Sequence, residues 1–199
     1  MSSESDVIEN FEKYRKILLK VETRKPSLEM FLEKYSDRIA TAPGHDRNNR
    51  RAAAPGGFVK RSLQTFANAR EICKMSAFAE KELDIESIIV VSLLHDIGRI
   101  GDDMGDFYVP QTSSWHIERG NLYTHNPDIR RMTHPHRGLY LLQAEGVSLT
   151  QDEWMTIVSQ PNVYEEGKFY SGHDIPLMAL LHTALKVTGM QDVCGPENI

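Results

Sequence analysis

Apolar positions recur at helical steps from the start of the chain. Val7, Phe11, Tyr14, Leu18 and Val21 alternate steps of four and three, which draws one stripe along a helix ending before Pro26. Leu28, Phe31, Leu32 and Tyr35 fit a second, short helix. The stretch "TAPGHDRNNRRAAAPGG" then breaks every periodicity and reads as a loop. Leu63, Phe66, Ile72 and Cys73 resume the pattern, and Asp84 is placed to cap the next helix, "IESIIVVSLLHDI". That segment is apolar nearly all round, which predicts a central position in the core. His95 and Asp96 therefore emerge from its buried C-terminal end, with Gly98 expected as the stop.

Residues 101–133 show no sustained period and predict a long irregular connection. Pro135 then opens the helix "PHRGLYLLQAE", ended by Gly146. Thr150 with Glu153 forms a capping-box pattern ahead of Trp154, Ile157 and Val158. A last helix follows Asp174 and Pro176, with Leu177, Leu180, Leu181 and Ala184 inward and Gly189 after it. No repeat, low-complexity run or strand ladder stands out, so the expected class is all-α, a helical bundle.

Composition narrows the picture. The 199 residues are 40% hydrophobic and 26% charged, which suits one soluble globular core. No apolar run approaches the roughly 20 residues of a membrane helix. The polar, acidic start differs from a secretory signal, and the protein reads as cytoplasmic. Cys73 and Cys194 are far apart and suit reduced thiols, so a metal would have to use His and carboxylates. A net charge of -5 argues against broad attraction to nucleic acid, leaving only local basic patches to hold phosphate.

Adjacent His95 and Asp96 at a helix end can bend toward one point and share a cation, because the last turn is free to open. Two ligands do not complete a site, and a hydrogen-bonded core pair satisfies the same spacing. The surroundings add to this. The ordered segments "GGFVKRSLQTFANA", "LLHDIGR", "HPHRGLYLLQ" and "PLMALLHTAL" resemble the HD superfamily of metal-dependent phosphohydrolases, and most closely its small bacterial and phage members. The resemblance spans about residues 42–188. It implies an HD-like domain over 42–190, with residues 1–41 as amino-terminal helices packing on it and 191–199 as a tail. It further implies hydrolysis of nucleotide phosphate esters at a divalent cation (Zn, Mn, Fe, Mg, Co or Ni) held by His, a His-Asp pair and a distant Asp.

This chain departs from that ligand set. His95 and Asp96 match the central pair, but Arg61 stands where the resemblance places the first His, and Leu185 where it places the distant Asp. Gln160 stands where similar proteins carry an auxiliary His. The guanidinium of Arg61 could fill the vacated cation's place and pair with Asp96, leaving no metal bound and Leu185 as packing. The expected function is then a divergent HD-fold module that binds nucleotide or phosphate, regulates or assembles. The alternative is an active phosphohydrolase with its site rebuilt from His95, Asp96 and His134, His136 or His182.

Lys60, Arg61, Arg99 and Arg137 could line a phosphate pocket, or be ordinary solvated cations. Arg47, Arg50 and Arg51 could touch nucleotide phosphates or simply charge a loop. Trp115, Tyr108 and Tyr123 could stack on a base, or anchor the long connection. A third class, a structural subunit or homo-oligomer, would use the amino-terminal stripe to bind another chain.

Overall fold

The Asp84 carboxylate accepts the backbone N–H of Ser87 at 2.9 Å, which fixes where the central helix begins. In the computed structural model, residues 4–46, 52–160 and 175–193 are described. Arg47, Arg50, Arg51, Cys194 and Asp174 lie outside the described residues. The chain is mostly helical: α1 (Glu4–Leu18), α2 (Lys25–Thr41), α3 (Gly57–Ile72), a short α4 (Ser76–Ala79), α5 (Ile85–Leu94), α6 (Ser114–Glu118), α7 (His134–Ala144), α8 (Gln151–Val158) and α9 (Pro176–Asp192).

Helix α5 is central because it has no polar face to expose. Every residue from Ile88 to Leu94 is buried, and α1, α3, α8 and α9 pack around it. The amino-terminal stripe belongs to this core. Tyr14, Leu18 and Val21 are fully buried, and the Tyr14 hydroxyl donates to the Leu93 carbonyl at 3.1 Å. Burial pushes the Tyr14 phenol well above its usual range. The Tyr14, Leu18 and Val21 part of the stripe faces its own bundle, while Val7 and Phe11 are half-buried. Pro26 opens α2 instead of following a longer first helix, and α2 runs to Thr41, longer than its apolar pattern indicates.

Two ends differ from expectation. Helix α5 stops at Leu94, four residues before Gly98, and a 3-10 turn (Ile97–Ile100) follows. The reason is packing. A Cβ on Gly98 would lie 2.7 Å from the Gly138 nitrogen and 3.0 Å from the Arg137 Cβ, so glycine here lets the turn touch α7. Helix α9 passes through Gly189 and ends at Asp192, whose side chain finds a role below. The Thr150–Glu153 capping box is formed as the pattern predicts, and Glu153 also receives both Arg24 guanidinium nitrogens, at 2.6 and 2.9 Å.

The connection over 101–133 is less irregular than its sequence reads. Tyr108–Pro110 (β1) and Tyr123–His125 (β2) pair antiparallel, with Tyr108 opposite His125, and Phe107, Tyr108 and Ile129 form a small separate core. The mostly helical chain is consistent with the expected all-α class, and the expected irregular connection carries a two-stranded flap. The flap is tied down by Asp102, which accepts from Arg137 through its side chain and from Arg38 through its carbonyl. At its other edge the Leu122 and Tyr123 amides donate to the Asp46 carbonyl at 2.8 and 3.2 Å. No helix among the described residues is long and apolar enough to cross a membrane.

Candidate functional site

The end of α5 delivers His95 and Asp96 into the protein, where His95 is 0% and Asp96 3% exposed. His95 Nδ1 lies 2.9 Å from the Ser92 carbonyl. A carbonyl only accepts, so Nδ1 carries the proton and Nε2 keeps its lone pair. Burial pushes His95 down to about 4, although neighbouring Asp96 pulls the other way. The ring is neutral at physiological pH, and its Nε2 is buried without a hydrogen-bond partner.

Asp96 is neutralised from within its own turn. Arg99 Nε donates to Oδ2 at 2.8 Å, while Arg99 Nη1 donates to the Tyr108 hydroxyl at 2.7 Å. Arg99 Nη2 also sits 3.3 Å from His134 Nε2. Because a guanidinium cannot accept, Nε2 of His134 is the acceptor and its Nδ1 bears the proton. That Nδ1 lies 2.8 Å from Asp96 Oδ1, so the His134 ring is held against the carboxylate. Burial alone would raise the Asp96 carboxyl, yet Arg99, His134 and His95 together hold it well below the usual carboxylate range. Burial likewise opposes the Arg99 charge, and Asp96 and Tyr108 more than offset it.

Arg61 does not meet Asp96. Its Nη1 lies 3.1 Å from Oδ2 of Asp192 at the end of α9, and Asp192 Oδ1 accepts the Ala52 amide at 2.8 Å. The expected Arg61–Asp96 pair is therefore corrected to Arg99–Asp96, with Arg61 locking α3 to α9. Arg99 has the shorter reach: the 3-10 turn returns its side chain to Asp96 at a spacing of three. Leu185 packs against the main core, as its apolar side chain requires. Gln160 is buried and donates to the carbonyls of His95 and Ile157 at 2.5 and 3.1 Å, so it caps the end of α5.

The other sequence candidates separate. His182 Nε2 contacts Ser159 Oγ at 3.5 Å, and His136 Nδ1 contacts Thr133 Oγ1 at 2.5 Å, so neither joins His134 on Asp96. Lys60 and Arg61 border a small cavity of about 110 Å³ between α3 and α9. Arg99 and Arg137 border a different one, of about 950 Å³, between the flap and the start of α7. The expected four-residue phosphate pocket is thus corrected to two sites. Tyr108 lines the larger cavity, whereas Trp115 is 55% exposed elsewhere on the flap with Arg119 stacked 3.6 Å from its ring centre.

Among the described residues, the larger cavity gathers four arginines, Arg99, Arg130, Arg131 and Arg137, against one lining carboxylate, Asp46. Its aromatic wall is Phe107, Tyr108 and His125. Arg137 is 2% exposed, held by Asp102 and the Arg130 carbonyl, and burial lowers its basicity. Sequence reasoning did not single out Asp102, Asp192, His125, Arg130 or Arg131. Nothing local marks them, since each gains its neighbours through the flap or through α9.

Arg99 and His134 stand on the Asp96 oxygens that a divalent cation would use. Among the described residues, no three His, Cys, Asp or Glu side chains are placed to hold a metal ion. The donors explain why: Arg99 occupies Asp96 Oδ2, and the His134 nitrogen facing Asp96 bears a proton. A cation would have to displace one guanidinium and one proton. Compared with known proteins, the chain matches no family model, no curated protein and no solved structure.

Proposed function

We propose that the chain is a divergent HD-like bundle in which the Arg99 guanidinium takes the cation's place on Asp96, and that it acts as a nucleotide- or phosphate-binding regulatory or assembly module. One observation carries this reading. Arg99 joins Asp96 to Tyr108 at the wall of an approximately 950 Å³ cavity that Arg130, Arg131 and Arg137 also line. That volume falls at the upper end of small-molecule sites, about 300–1,000 Å³. Guanidinium groups bind phosphate oxygens in planar pairs, and the flanking rings supply an apolar surface. Binding survives without a resident metal; water activation does not.

A second reading, a phosphohydrolase built from His95, Asp96 and His134, draws on the buried His95 Nε2 and Asp96 Oδ1, which lack aligned hydrogen-bond partners. Elemental analysis of the purified protein for Zn, Mn, Fe, Mg, Co and Ni separates the two. It is paired with hydrolysis and binding assays on ribo- and deoxynucleotides, each metal being added in turn. The binding module shows nucleotide affinity, no stoichiometric metal and no turnover. Stoichiometric metal, with turnover abolished in both His95→Ala and Asp96→Ala, replaces it with the hydrolase.

A further inference from the structure

We infer that the larger cavity takes a nucleoside monophosphate, its base against the His125 ring and its phosphate on the Arg130–Arg131 pair, an assignment that rests on the ligand-binding reading above. The cations of this cavity are not equivalent. Arg99 is engaged by Asp96 and Tyr108, and Arg137 by Asp102 and a backbone carbonyl. Arg130 and Arg131 line the same cavity, are exposed, and have no carboxylate within ion-pair distance among the described residues. Two adjacent unpaired guanidinium groups match one phosphate monoester, which carries about -1.5 to -2 charge at neutral pH. A longer polyphosphate carries more negative charge than this pair neutralises.

The ring site follows from the flap. His125 lies nearly parallel to Tyr108, at 25° with centroids 5.5 Å apart, because β1 and β2 place the two residues directly opposite each other. Tyr108 is buried and anchored through its hydroxyl to Arg99, so it is the fixed end of the stack. His125 is exposed to the cavity, and a base placed on it extends the column by one ring. His125 precedes Arg130 by five positions in one connecting segment, so ring and phosphate contacts are borne by neighbouring chain.

Isothermal titration of the intact protein with adenosine 5′-monophosphate, cytidine 5′-monophosphate, ribose 5-phosphate, adenosine and adenosine triphosphate tests this. The two monophosphates bind, and ribose 5-phosphate and adenosine each bind about tenfold or more weakly, because each lacks one contact. All three side chains are exposed, and none is a member of either apolar core. His125→Ala lowers monophosphate affinity to that of ribose 5-phosphate, and His125→Phe preserves it. Arg130→Gln with Arg131→Gln lowers it to that of adenosine. Monophosphate binding indifferent to these changes, or tighter binding of the triphosphate, overturns the inference while leaving a ligand-binding cavity. Absence of binding by any probe overturns both.

Discussion

Oδ2 of Asp96 accepts from Nε of Arg99 at 2.8 Å, so the cation that neutralises this buried carboxylate comes from the adjoining turn and not from α3. With side chains only 4% and 14% exposed, neither partner can fall back on water when the other is removed. Asp96→Ala is expected to cost about 3–5 kcal/mol by stranding the guanidinium. Urea denaturation of single and double variants checks the pairing. A strong coupling is expected between Asp96 and Arg99, and a weaker one, within about 0.5 kcal/mol of additive, between Asp96 and Arg61.

Acid should destabilise the fold through His95 before Asp96 titrates. Burial depresses the folded His95 value to about 4, below the ordinary 6.5, so between these limits the unfolded chain takes up a proton that the folded chain refuses. The neutral ring's contribution is present above pH 6.5 and declines as pH falls toward 4. Its full extent is on the order of 3 kcal/mol. The lowered Asp96 value adds a second loss, beginning as pH falls through the usual carboxylate range and continuing below it. Stability measured from pH 7.5 to 4.5 should fall less steeply in His95→Gln than in the parent.

Gly98→Ala should separate the 3-10 turn from α7. The added methyl meets backbone atoms of α7, and backbone cannot move aside as a flexible side chain can. A loss of about 1–3 kcal/mol or more is expected. At Gly138 the nearest obstruction is the Ile97 Cγ2 at 2.9 Å, a side chain with some room to adjust, so Gly138→Ala should cost less. Thermal denaturation of the two variants gives the order.

Arg61→His with Leu185→Asp would restore the resembled family's ligand types, yet the double variant is expected to remain without metal. Arg99 still occupies Asp96, and Arg61 departs from Asp192 instead of from the Asp96 site. Adding Arg99→Leu frees the carboxylate and should give the first measurable affinity for a divalent ion. Titration with Zn and Mn across the double and triple variants checks this, and equal binding by both would show that Arg99 is no barrier.

What the sequence determined by itself was whatever depends on neighbours a few positions away. Asp84 and the Thr150–Glu153 box mark their helix starts because a cap joins residues three apart. The apolar wrap of "IIVVSLL" placed α5 at the centre, and with it the burial of His95 and Asp96. The tertiary structure alone decided which charges meet. Arg61 and Arg99 are equally cationic in sequence, and only the close passage of Gly98 against α7, with α9 extended to Asp192, sends one to Asp192 and the other to Asp96. The flap escaped notice for a related reason. Strands of three residues carry too little alternation to register as a pattern, and Tyr108 meets His125 only through pairing across a connection that has no period of its own. The cavity with its Arg130–Arg131 pair exists because that flap folds over the start of α7, a long-range contact that no local spacing encodes.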